Sequence, residues 1–65
     1  MKVEEVKARI SELELYIDDP EAAHSLEVDL YTDVLHAIAI GANNAKNLAL
    51  EALKAKDIDF PRWFA

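Results

Sequence analysis

The sequence contains no cysteine, and only one glycine and two prolines among 65 residues. Without thiols, neither disulfides nor thiolate metal sites can brace the fold. A chain this short buries only about 60 % of the surface that its unfolded form exposes, so helix packing, within the chain or between copies, must supply stability. A single glycine excludes a glycine-rich phosphate loop. The longest apolar run, residues 37–42 with Gly41 inside it, falls far short of the roughly 20 residues that cross a bilayer. The N-terminus reads as a glutamate-rich amphipathic stretch where a secretory signal would need an apolar core and a cleavage site. The expectation is a cytoplasmic protein without membrane contact. Basic side chains are scarce as well: seven Lys and Arg stand against thirteen Asp and Glu, a net charge of −6, which argues against nucleic acid as a direct partner.

What is present is a folded composition, 52 % apolar and 31 % charged, with neither repeat nor linker, so residues 1–65 are expected to form one domain. The acidity is concentrated in residues 1–33, where ten acids face three bases for a net of −7; the remainder carries +1. Such halves attract each other within or between chains.

Val3, Val6, Ile10, Leu13 and Ile17 recur at intervals of three and four, the signature of one apolar stripe on a helix. The stripe is about two heptads long, too short to be stable alone. Asp19 then suits an N-cap and Pro20 the first helical position, opening a second helix that should run to about residue 40, where Gly41 can close it. Asn43 or Asn44 suits the cap of a third helix reaching about residue 56, with Lys54 and Lys56 favourable near its C-terminal dipole. The expected fold is all-α: a small three-helix domain, a hairpin plus a third helix and an aromatic tail. Ala45, Ala49 and Ala52 alternate with Leu48 and Leu53 in the third helix, a face that permits close approach of a neighbour. Leu15 and Leu50 lie off the stripes of their helices. This excess of apolar side chains predicts self-association, most simply a dimer, through the first-helix stripe or the alanine-rich face.

Within the second helix Ala23, Leu26, Val28, Leu30, Val34, Leu35, Ala37 and Ile38 form one broad apolar arc at about 100° per residue. His24, Glu27 and Tyr31 fall inside it, Glu27 near the middle. A carboxylate in that setting must be protonated or paired. Two readings follow: a structural network in which Glu27 accepts from Tyr31, His24 or Arg62, or the floor of a polar pocket for a ligand or partner. On the opposite face, Asp29, Asp33 and His36 are spaced four and three apart, a weak set of metal ligands that completes no two-histidine motif; no metal or cofactor is expected. Ser25 and His24, adjacent on a helix, diverge by about 100° and cannot act as nucleophile and base, so an enzyme is not expected. Phe60, Trp63 and Phe64 gather in the last six residues with Arg62 among them, a composition typical of interface anchors and equally of an end plug for a small bundle.

The run Ala23, His24, Ser25, Leu26, Glu27, then Asp29 and Leu30, with Val34, Leu35, Ile38, Ala39 and the closing Ile58, Asp59, Phe60, Pro61, Arg62, Trp63, resembles a group of short proteins encoded by bacteriophages and prophages. The resemblance covers residues from Asp19 onward. It implies a viral or prophage origin, the host cytoplasm, and a protein that binds and modulates something of the host. The expected function is therefore non-catalytic binding of a host protein, with Arg62, Trp63 and Phe64 as anchors. Two alternatives stand beside it. One is an oligomer that sequesters a small signalling ligand through His24, Tyr31 and Arg62; the other is an acidic mimic of nucleic acid built from the carboxylates of residues 4–33.

Overall fold

The computed structural model describes residues 1–62. Three α-helices are present, α1 (Val3–Glu14), α2 (Pro20–Ala39) and α3 (Ala45–Ala52), and α3 continues into a 3-10 segment, Leu53–Asp57. All three helices pack on one another, and among the described residues there is no β-strand. No helix among them is long and apolar enough to cross a membrane.

Each boundary has a local cause. At the start of α1 the Glu5 carboxylate accepts from the Lys2 backbone N–H at 3.2 Å, satisfying one of the donors that a helix start leaves open. The helix stops at Glu14, earlier than the stripe through Ile17 predicts. Leu15 and Tyr16 donate to the carbonyls three residues back, and the chain must leave helical geometry before Asp19, because the Pro20 ring disfavours it there. Asp19 (φ −124°, ψ 82°) caps α2, its side chain accepting from the Ala22 N–H at 3.3 Å. Gly41 ends α2 with φ +94°; its N–H donates to Ile38 O and that of Ala42 to Ala37 O, the paired bonds of a Schellman motif. Asn44 occupies the N-cap position of α3, but its amide donates to Met1 O at 3.1 Å, fastening the chain start to the α2–α3 connection. The third helix is α only to Ala52, and the tighter 3-10 turn completes the predicted span to residue 56.

Two apolar clusters form the core. Val6, Leu30, Val34, Leu48, Ala52 and Ala55 make the larger. Leu13, Ala23 and Phe60 make the smaller, with Leu26 and Ile58 against it. Val6 and Leu13 are wholly inside and Val3 and Ile10 pack, partly buried, against the larger cluster, while Ile17 at the end of the first-helix stripe is 42 % exposed. The predicted arc of α2 is narrower than its composition: Ala23, Leu30 and Val34 are buried, whereas Leu35 is 65 % and Val28 45 % exposed. In α3, Leu48 and Ala52 turn inward, while Leu53 at the start of the 3-10 segment turns outward. Leu15 and Leu50, off-stripe in the sequence, are exposed.

Adjacent leucines give the cleanest test of this division. Leu13→Ala removes a fully buried side chain and should cost about 2–5 kcal/mol, while Leu15→Ala at an exposed turn should stay within about 0.5 kcal/mol. Urea unfolding followed by circular dichroism measures both.

Candidate functional site

The site is built around Glu27, which is 5 % exposed and the one buried charged residue among those described. It lies on α2 between Ala23 of the smaller cluster and Leu30 of the larger, on the same inward stripe. An ionised carboxylate there requires a counter-charge, and the C-terminal segment brings one. Ile58 resumes extended geometry after the 3-10 turn (φ −74°, ψ 123°), Phe60 inserts against Leu13 and Ala23, and Arg62 arrives over Glu27.

The guanidinium is held on several sides. Arg62 Nε donates to Glu27 Oε1 at 2.9 Å and Nη2 to Glu27 Oε2 at 3.0 Å, the two-pronged geometry that makes Arg–carboxylate pairs strong. Nη2 also donates to Ala55 O at 3.1 Å and Nη1, at a longer 3.4 Å, to Phe60 O. The cation lies 3.7 Å from the centroid of the Phe60 ring, a cation–π contact. Of the five N–H donors on an arginine, four are therefore used inside the chain. Hydrogen bonding to Glu27 raises the Arg62 pKa further above its ordinary value.

Tyr31, one turn beyond Glu27, donates its hydroxyl to Glu27 Oε2 at 3.4 Å, a long and correspondingly weak bond. Burial and, after it, the negative charge of Glu27 raise the Tyr31 pKa, since both disfavour a phenolate. Three of the sequence candidates, Glu27, Tyr31 and Arg62, are thus brought together. His24 is half-buried one turn before Glu27 on the same helix. Trp63 and Phe64 lie outside the described residues. The opposite-face trio does not converge: Asp33 accepts from Arg9 Nη1 at 2.7 Å, Asp29 and His36 are exposed, and no three metal-ligating side chains among the described residues are grouped to hold an ion.

Beside this cluster the structure reveals a feature that composition did not locate. Tyr31, Val34, Leu35 and Ile38 of α2 face Ala49, Ala52 and Leu53 across an open groove of about 420 Å³. Its rims are Leu35 and Leu53, each more than half exposed. The groove adjoins the Glu27–Arg62 pair through Tyr31, which belongs to both. The available sequence signal was the width of the apolar arc, wider than a single helix contact consumes.

Comparisons of the chain with family models, with curated proteins and with solved structures return no match.

Two outcomes test the cluster. Arg62→Met leaves a buried carboxylate unpaired and should cost about 3 kcal/mol, the low end of the range for such losses, because Arg62 keeps 24 % of its side-chain surface exposed. The double variant Glu27→Leu with Arg62→Met should recover most of that loss in the same urea experiment. The second concerns alkaline pH. With its folded pKa raised above the unfolded value of about 10, Tyr31 contributes stability that is complete below pH 10 and is lost as the pH climbs through the folded value. Phenol absorbance titration in a Tyr16→Phe background should show ionisation above 10, moved downward by Glu27→Gln.

Proposed function

We propose that this protein is a small non-catalytic binding module of phage or prophage origin that assembles with copies of itself and modulates a host protein in the host cytoplasm. The observation that carries this reading is the open apolar groove between α2 and α3. A 65-residue chain with so small a core has every reason to bury Leu35, Leu53 and Val28, yet holds them at 65, 52 and 45 % exposure. Leu35 and Leu53 line the same groove, and contiguous exposed apolar surface, in contrast to scattered single residues, marks interaction surfaces. The cluster beside the groove supports a role without catalysis, because the buried carboxylate and its arginine are committed to each other. Arg62 then acts by holding the C-terminal segment in place, and any anchoring function of the tail falls to Trp63 and Phe64.

A specific observation favours one of the two alternatives as a second reading. Tyr31 and Arg62, two of the three residues proposed to sequester a small signalling ligand, both bond Glu27, and Tyr31 also lines the groove. An assembly of copies that closes over this groove would form a pocket with an aromatic hydroxyl at its edge.

Native mass spectrometry of gently purified protein, followed by affinity capture from host lysate, distinguishes the two. The binding-module reading expects an assembly with no retained small mass, and a captured protein that Leu53→Asp loses and Leu15→Asp keeps. A stoichiometric small mass on the assembly overturns it in favour of ligand sequestration. Equal capture by both variants removes the groove from the function.

A further inference from the structure

A second groove, of about 540 Å³, lies between the end of α1 and the 3-10 segment. Its apolar lining is three isoleucines: Ile10, which leans on the larger core cluster, Ile58, which leans on the smaller, and Ile17, which is 42 % exposed. Glu14, Asp57 and Asp59 add three exposed carboxylates, and none of them forms an ion pair among the described residues. The one base in the lining, Lys54, donates to Glu51 at 3.0 Å. The acids are also set against the backbone. Glu14 is the last residue of α1, and Glu12 precedes it in a final turn that holds no base. A helix C-terminus carries partial negative charge, which bases relieve and acids aggravate. The chain does place bases, Lys54 and Lys56, at the corresponding end of the 3-10 segment, so the omission at α1 is local. Glu14 therefore costs the isolated chain stability that a cation arriving from outside would return.

We infer that this groove receives a basic segment of a partner protein, its lysine or arginine stems laid over the isoleucines and their charged ends among Glu14, Asp57 and Asp59. Long basic side chains cover apolar surface with their methylenes while the head stays in water, and the groove presents both halves of that match. Its volume exceeds that of one side chain, so it suits a segment with several bases rather than a lone amine. Opposite charge also steers the encounter. A second copy, at −6, meets a groove of its own sign, and nucleic acid or an anionic membrane surface is repelled in the same way. No three metal-ligating side chains among the described residues are grouped to hold an ion, which leaves the basic segment as the occupant that the charge favours. The groove shares no residue with the one between α2 and α3, so the inference goes beyond the reading above and does not depend on it.

The probe is a capped ten-residue peptide of alternating lysine and glycine, titrated at low ionic strength into isotope-labelled protein and followed by amide resonances. It should shift Ile17 and Ile58 and leave Leu35 unmoved. The triple variant Glu14→Gln, Asp57→Asn, Asp59→Asn should bind about tenfold more weakly, the combined loss of three exposed charge contacts. The variant Glu4→Gln, Glu21→Gln, Asp29→Asn, which neutralises as many exposed acids elsewhere, should bind as the wild type does, with helicity retained in both. A peptide with 2,4-diaminobutyrate for lysine, equal in charge and two methylenes shorter in the stem, should bind more weakly than the lysine peptide. Glu14→Gln alone should raise the midpoint of urea unfolding, and a midpoint that fails to rise overturns the proposal. So do equal losses in the two triple variants, equal binding of the two peptides, or no shift at millimolar peptide. Loss of the peptide on Leu35→Asp moves the site to the other groove, and self-association mapped to Ile17 and Ile58 gives this one to a second copy; either result overturns the proposal.

Discussion

A carboxylate placed in the middle of an apolar stripe constrains this protein more than any other residue. Glu27 is carried inward by the helix that also buries Ala23, Leu30 and Val34, and its charge can be tolerated there only if a cation comes to meet it. Arg62 does so from near the other end of the chain. Its arrival depends on the 3-10 turn releasing the backbone after Asp57, on Phe60 seating against Leu13 and Ala23, and on the Ala55 carbonyl receiving a second N–H. The ion pair therefore closes a circuit through α2, the 3-10 segment and the C-terminal strand-like stretch. Removing one partner is costly because the other stays behind, which differs from saying that the pair stabilises relative to a packed apolar substitute.

The same circuit explains why the core comes in two parts. The smaller cluster has only Leu13, Ala23 and Phe60 at its centre, and two of those three reach it from segments outside α2. Fixing Arg62 on Glu27 holds Phe60 in place and joins the small cluster to the larger one above it. The opposite flank of α2 has no such closure. There Tyr31 is the last side chain in contact with the polar cluster and the first of the apolar groove, so the surface offered to other molecules begins where the internal network ends.

Much of this was legible in residue order. The helix count follows from the three-and-four spacing of Val3, Val6, Ile10 and Leu13 and from the Asp19–Pro20 start; Gly41 closes α2 because its positive φ suits a residue without a side chain. Glu27 is conspicuous as a lone acid inside an apolar arc, and Tyr31 and Arg62 were already among its candidate partners. Less legible were the early end of α1, which depends on how proline restricts the residue before it, and the change from α to 3-10 geometry after Ala52. Hardest to read was the outward set of Val28 and Leu35. Hydrophobicity shows that a residue favours burial, not whether its own chain has a surface available to bury it.

Sequence alone determined the periodic and local features: three helices, the Asp19 cap and Gly41 end of α2, the acidic N-terminal half and the presence of a charge that needed a counter-charge. These depend on neighbours within about one helical turn, and chain order supplies such neighbours directly. Tertiary structure decided which cation met Glu27, which residues of the broad apolar arc on α2 the core buried, and where an apolar groove was left open. Those outcomes depend on contacts between residues 24 to 35 positions apart, such as Arg9 with Asp33 and Glu27 with Arg62, and on the finite area that two short helices can cover on a third.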